Sequence, residues 1–517
     1  MSSTFSRRRL IAGAAGGSIL SLLPRGLAQA SKTERLAVRA DLPIGVVRPE
    51  LHGHFAEHLG SCVYGGLWVG KQSPIPNVDG FRREAIDALR ELGIPVLRWP
   101  GGCFADDYHW RDGIGKDRPK RVNIHWGDYV EDNSFGVHEF MDLCRKIGAE
   151  PYLAGNVGSS NPQELRDWVE YCNYPSGSTL SDERRANGSP EPFGVRYWGV
   201  GNENWGCGGR MTPEHYANLF RQFSGYVRTF GGTRPFLIAC GPNGNDVGWS
   251  RKFLDQAGSR LPDGFAMHFY ENSDKAPTQF TPDAMHTQMR IFERVENAVI
   301  QQRAILDGYD PQRKTAHLMV DEWGVWDNLN VTEEQKKFGR LWQQSTMRSA
   351  VAAALGLNLF HRQADKLYMC NIAQIVNVLQ SLLLTDGAEG KRCVRTTTYH
   401  AFMLLKGHRG KTAVRVERAG SDPLGVSMSA SKSATDMVVT FVNPRHGVDL
   451  SIDCALHGVT ARGASAQILH HPDLNAFNSF DEPGAIVPKP HRVAVDGGRL
   501  RLDLPSMAIV TARIPLA

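Results

Sequence analysis

No two of the nine cysteines in this 517-residue sequence are spaced C-x-x-C, which removes zinc-ribbon frameworks and small disulfide scaffolds. The odd count leaves at least one thiol without an intrachain partner, and most are expected as buried small hydrophobes. A bridge stays open, with no pairing assigned. H-E-x-x-H is absent as well. His54 and His58 share the i,i+4 spacing of a helical metal pair, but the adjacent glycine and the strand-to-loop switch argue against a helix there. No metal is expected. No Gly-rich phosphate loop follows the first strand candidate, which disfavours an open doubly wound sheet. Outside the N-terminal segment no run approaches the ~20 apolar residues of a membrane helix. Surplus charge is missing too. Of the formal net charge of +5, Arg7, Arg8, Arg9 and Arg25 supply four within residues 1–30, which hold no acid. The remainder carries about +1 and offers no footprint for nucleic acid.

With 41% apolar and 22% charged residues, the composition is that of a soluble globular protein. The length implies two or three domains. Residues 1–30 combine Ser6-Arg7-Arg8-Arg9, an Ala/Gly/Leu-rich stretch and Ala28-Gln29-Ala30 before Ser31. That reads as a cleavable twin-arginine signal peptide, hence an exported, periplasmic protein with no membrane contact after cleavage. An uncleaved N-terminal anchor is the alternative.

From Leu51 onward short apolar runs alternate with helix-like periods. Strands are expected at Leu51–Phe55, Pro95–Trp99, Pro151–Asn156, Arg196–Val200, Phe236–Cys240, Gly264–Tyr270, Ala316–Val320 and Lys366–Cys370. Repeated strand-then-helix units imply a parallel sheet, and eight of them a closed (β/α)8 TIM barrel over residues 51–392. After about Cys393 short alternating strands separated by Gly, Pro, Asn and Asp predict a β-sandwich over 393–517. The segment 31–50, with a strand near Glu34–Val38, is expected to join it.

The chemistry concentrates in Gly199-Val-Gly-Asn-Glu203 and Val320-Asp-Glu-Trp323, which place a glutamate after strands four and seven. The glutamates are 119 residues apart, so only a fold that gathers distant strand ends brings them together. Two facing carboxylates are what glycosidic hydrolysis requires. Trp198 and Trp205 would wall Glu203 and suit it to general-acid work. Asn202 would bond a sugar hydroxyl, and Trp323 would flank Glu322. Arg98, after strand two, can hold a carboxylate ionised. His268 and Tyr270 end strand six, the phenol within reach of the nucleophile, and Asn371 and Gln374 follow strand eight as candidate sugar-binding amides. Ordinary hydrogen bonding at a barrel lip is the alternative for each.

Together these segments resemble the α-L-arabinofuranosidases of glycoside hydrolase family 51, a group of barrels with the acid/base after strand four and the nucleophile after strand seven. The resemblance runs from about Leu51 to the C-terminus. It is carried by Gly53-His-Phe-Ala-Glu-His58, Tyr64-Gly-Gly-Leu-Trp-Val69, Arg98-Trp-Pro-Gly-Gly102, Trp168-Val-Glu-Tyr-Cys-Asn173, Tyr197-Trp-Gly-Val-Gly-Asn-Glu203, Asp321-Glu-Trp323, Ile372-Ala-Gln-Ile-Val-Asn377 and Asp473-Leu-Asn-Ala-Phe-Asn478. It implies Glu203 as acid/base, Glu322 as nucleophile, and Glu57, Asn202 and Gln374 against the arabinose, with Arg98 and Tyr270 supporting the nucleophile. It also implies no cofactor, an arabinose-containing oligo- or polysaccharide as substrate, and homo-oligomers. Cys103 stands at a sugar-contacting position where the resemblance leads one to expect an amide, and a thiol bonds a hydroxyl more weakly. The same machinery acting on a β-xyloside or β-glucan, and a non-catalytic carbohydrate-binding protein on this scaffold, are the rival readings.

Overall fold

The computed structural model describes residues 32–517 except 328–331, 388–389, 419, 421 and 423. The arginine-rich segment read as a signal lies outside the described residues.

Eight parallel strands close into a barrel: β1 (Gly53–Phe55), β2 (Val96–Trp99), β3 (Glu150–Gly155), β4 (Tyr197–Val200), β5 (Phe236–Asn243), β6 (Gly264–Ser273), β7 (His317–Asp327) and β8 (Leu367–Ala373). Closure comes from β8 pairing with β1, Asn371 opposite Gly53 and Ala373 opposite Phe55. Each expected strand is present within a few residues of its expected place. β5, β6, β7 and β8 run further than expected, and the β6–β7 pairing continues to Ser273 opposite Asp327.

Alternation along the strands separates two cores. Val96, Tyr152, Tyr197, Phe236, Ile238, Ala266, Met319 and Met369 pack together inside the barrel, as layered side chains fill such barrels. Their neighbours Leu97, Leu153, Trp198 and Val320 face the helices. Those helices start where the sequence caps them. Asn161 accepts from the backbone N–H of Gln163 and Glu164 ahead of Pro162–Asn173, and Thr212 accepts from that of His215 ahead of Pro213–Tyr226. In both a proline fills the first turn, where a missing N–H costs nothing.

A ten-stranded sheet forms the second body. At its middle the strand Lys32–Val46 pairs antiparallel with Thr412–Arg418 and parallel with Leu450–His457. The sheet folds over one apolar core in which Met437, Phe441 and Val510 from one arm meet Leu450, Ile452 and Leu502 from the other. This is the expected mostly-strand C-terminal architecture. Helix Thr397–Leu405 connects barrel to sheet and packs on helix Met347–Arg362. None of the described helices is long and apolar enough to cross a membrane.

Candidate active site

Above the apolar layer the barrel interior turns polar. Arg98 follows Val96 on the inward face of β2 and is fully buried. On β7 the register slips by one residue, Met267 lying opposite Val320 but His268 opposite Glu322. Met319 and Asp321 alternate inward; the bulge turns Glu322 inward as well, so two consecutive acids point into the barrel, and of these Glu322 lines the cavity.

Arg98 links these acids to strand four. Its Nη1 donates to Glu322 Oε1 at 2.5 Å, its Nε lies 3.3 Å from Asp321 Oδ2, and its Nη2 donates to Asn202 Oδ1. Asp321 also accepts from Tyr152 Oη at 2.8 Å and from Asn371 Nδ2 at 2.7 Å. Asn371 thus turns its amide N–H2 to Asp321 and is not among the residues that line the cavity, so the expectation that it binds sugar is corrected.

Glu322 Oε2 accepts from Tyr270 Oη at 2.7 Å. His268 Nδ1 lies 2.8 Å from Glu203 Oε1 and 3.5 Å from Glu322 Oε2. One oxygen of each carboxylate and the His268 nitrogen all fall within 4.8 Å of one another. Burial alone would raise the Glu322 pKa, but His268, Arg98 and the Tyr270 hydrogen bond outweigh it and hold the carboxyl below its ordinary range. For His268, burial lowers the pKa and the two glutamates more than reverse it. The nucleophile candidate is thus kept ionised by charge and hydrogen bonding.

Glu203 sits in a tight turn after β4. Gly201 adopts φ +86°, and a Cβ on Gly208 would stand 1.9 Å from the Asn202 carbonyl oxygen, so only glycine fits there. Asp106, which the sequence did not single out, anchors the turn from beneath. It accepts backbone N–H bonds from Val157 (2.6 Å), Gly158 (2.7 Å) and Asn202 (2.7 Å). Burial pushes its pKa up to about 7 despite those bonds.

The cavity holds about 220 Å³ and is lined by Glu57, Trp126, Glu203, Trp205, Tyr270, Glu322, Trp326 and Gln374 among others. Glu57 accepts from Phe104 N and Trp126 Nε1, each at 3.0 Å, and from Gln374 Nε2 at 3.1 Å. Burial, reinforced by Glu322, pushes its pKa up to about 7. Asn202 Nδ2 and Gln374 Oε1 have no protein partner among the described residues. These are one donor and one acceptor of the kind a sugar hydroxyl uses.

Several expectations fail on orientation. Trp198 turns away from Glu203 into the helix layer, 5.6 Å from the ring of Trp168, while Trp205 does line the cavity. Trp323 likewise points outward onto Phe360; the indole beside the nucleophile is Trp326, packed edge-on to Tyr270. His58 bonds Glu131 and Trp99, and His54 packs on Phe402, so the two rings make no pair. Cys103 offers no thiol to a sugar, because it is disulfide-bonded to Cys207. Trp126 arrives from a long excursion between β2 and β3 and carried no periodic signal.

Two family models match the chain, the α-L-arabinofuranosidase 1 domain over residues 88–288 and the α-L-arabinofuranosidase C-terminal domain over 321–508. Each matched segment brings one of the two glutamates. An intracellular exo-α-L-arabinofuranosidase of Bacteroides ovatus is 41% identical over 94% of this chain and 96% of its own length. The chain belongs to the α-L-arabinofuranosidases of glycoside hydrolase family 51. Within the family, the crystal structure from Xanthomonas axonopodis pv. citri superposes with a TM-score of 0.89 at 37% identity, covering 93% of this chain and 99% of that one. An arabinose complex from Thermotoga maritima gives 0.83 at 28% identity over 93% and 100% of the two chains.

The expectation of a periplasmic protein is corrected here. The Bacteroides relative, matched over nearly its whole length, is named an intracellular enzyme.

Proposed function

We propose that this chain is a retaining, exo-acting α-L-arabinofuranosidase that releases terminal arabinofuranose from arabinose-containing glycosides. Family membership supports the substrate class, and the paired glutamates around His268 carry the chemistry. Retaining glycosidases hold their two carboxyls ~5–5.5 Å apart, against ~6.5–9.5 Å in inverting ones, and carboxylate oxygens within 4.8 Å of each other fit the former. Glu322, kept ionised by Arg98, His268 and Tyr270, attacks the anomeric carbon while Glu203 protonates the departing oxygen. Glu203 then takes a proton from water, which attacks the anomeric carbon on the face the aglycone vacated, opposite Glu322; the glycosyl–Glu322 bond breaks and the configuration is retained. Glu57, Asn202 and Gln374 hold the ring hydroxyls. A cavity of about 220 Å³ lies below the range of drug-sized pockets and suits one sugar ring, as exo action needs. Association into homo-oligomers extends the resemblance and is measured by light scattering.

The test is hydrolysis of an aryl α-L-arabinofuranoside by the full chain and by Glu322→Ala and Glu203→Ala, with product anomers read by NMR. Retention in the parent, and azide rescue giving an inverted glycosyl azide from Glu322→Ala but a retained one from Glu203→Ala, is the expected pattern. An inverted product from the parent overturns the scheme.

A further inference from the structure

The cavity rim carries a feature that hydrolysis does not use. Cys103 opens the turn after β2, Cys207 lies four residues past Glu203, and their disulfide joins the two loops with Cα atoms 5.5 Å apart. Both are half-buried, and Cys103 lines the cavity. Cys207 Sγ is 3.4 Å from Glu203 Oε2. A disulfide sulfur carries no hydrogen, so this is a contact and not a hydrogen bond. One atom each from Cys103, Cys207 and Glu203 lies within 4.8 Å of the other two.

Two thiolate sulfurs and a carboxylate oxygen are a donor set that suits a tetrahedral thiophilic ion, with water as the fourth ligand. The disulfide masks it, since a bonded sulfur has no charge to donate. A dithiol reductant unmasks it through two thiolate exchanges. The S–S bond breaks, the reductant leaves as its cyclic disulfide, and each cysteine sulfur gains a proton. Ion binding then releases those two protons to solvent as two metal–sulfur bonds form.

We propose that reduction of Cys103–Cys207 creates a site for one Zn2+-class ion, held by both thiolates and Glu203, and that the ion stops hydrolysis by occupying Glu203. The inhibitory half rests on the acid/base role given to Glu203 above. The neighbouring set Glu203, His268 and Glu322 also falls within 4.8 Å, but Arg98 and Tyr270 already occupy the two oxygens of Glu322. Only the thiolate set depends on redox state.

The experiment reduces the full chain with a dithiol, removes the reductant, and titrates with Cd2+. Thiolate-to-metal charge-transfer absorbance and hydrolysis are followed in parallel. The expected result is one ion per reduced chain and more than tenfold loss of activity, reversed by a chelator. The oxidised chain, which already contains seven free cysteines, gives neither signal, and reduced Cys207→Ser gives no absorbance. Equal absorbance in both redox states, or none in the reduced chain, overturns the site even where the variant does not fold. Binding of one ion with hydrolysis intact leaves the site standing and overturns the assignment of Glu203.

Discussion

Asp106→Asn separates positioning of the acid/base from the chemistry itself. Oδ1 of Asp106 accepts from Val157 and Gly158, and Oδ2 from Asn202 N at 2.7 Å and Asn204 Nδ2 at 3.3 Å. An amide has one accepting oxygen. Kept on the Val157 side, it turns an N–H2 group toward the Asn202 N–H and leaves that buried donor unpaired; flipped, it orphans two. One unsatisfied buried N–H costs about 2 kcal/mol. Asn202 precedes Glu203, so the loss falls on the turn that aims the acid. Expressed wholly in the transition state, about 2 kcal/mol is roughly a thirtyfold drop. The assay is kcat/KM for two aryl α-L-arabinofuranosides, one with a poor and one with a good leaving group. A good leaving group needs little protonation, so its loss is much smaller than the thirtyfold expected for the poor one. Equal losses on both substrates, or unchanged kcat/KM alongside a lowered Tm, refute a positioning role.

Tyr270→Phe removes a 2.7 Å hydrogen bond to the Glu322 carboxylate. A bond to a charged group is worth about 1.5–3 kcal/mol; the Glu322 pKa rises, so the acidic limb of the kcat/KM–pH profile moves to higher pH, and an unmoved limb counts against it. Glu57→Gln relieves burial of a carboxyl whose pKa is pushed up to about 7. Such a group destabilises the native state as pH rises from its unfolded value through 7, by at most about 3.5 kcal/mol. The variant therefore gains stability over the parent between pH 5 and pH 8 in chemical denaturation, and a gap independent of pH would falsify this. His408, buried with its ring nitrogens on Ser431 and Thr440, is pushed down to about 3. Its native form is neutral, so stability is full above the unfolded value near 6.5 and falls below it, by about 3 kcal/mol at pH 4.5. Acid unfolding curves of His408→Gln should be flatter, and parallel curves contradict the assignment.

The barrel was legible because eight apolar runs at strand length alternate with amphipathic helices, a pattern that few folds share. In the sheet, Leu450–His457 alternates cleanly and Ala508–Pro515 does not. The second is buried on both faces over Ala508–Ala512, which erases the alternation by which strands are recognised. The two glutamates were legible from strand-end placement. Their indole neighbours were misjudged for a local reason. Residues adjacent on a strand face opposite ways, which sends Trp323 outward, and the bulge that turns Glu322 inward beside Asp321 leaves no trace in composition. Cys103 and Cys207 are 104 residues apart, and their meeting depends on where two loops cross. Asp106 was invisible because its three shortest hydrogen bonds come from backbone N–H groups, which every sequence contains.

The strand at the heart of the C-terminal sheet comes from the start of the described chain. Val38 pairs with Val416 on one side and Leu456 on the other, partners that a ribosome delivers only after the whole barrel has been made. During synthesis Lys32–Val46 must therefore wait, with both edges open, for strands at the other end of the chain. A truncation that removes it splits the sheet between Thr412–Arg418 and Leu450–His457, rather than trimming an edge. Fusion partners are best placed upstream of Lys32 on a linker long enough to leave that strand free to be clasped last.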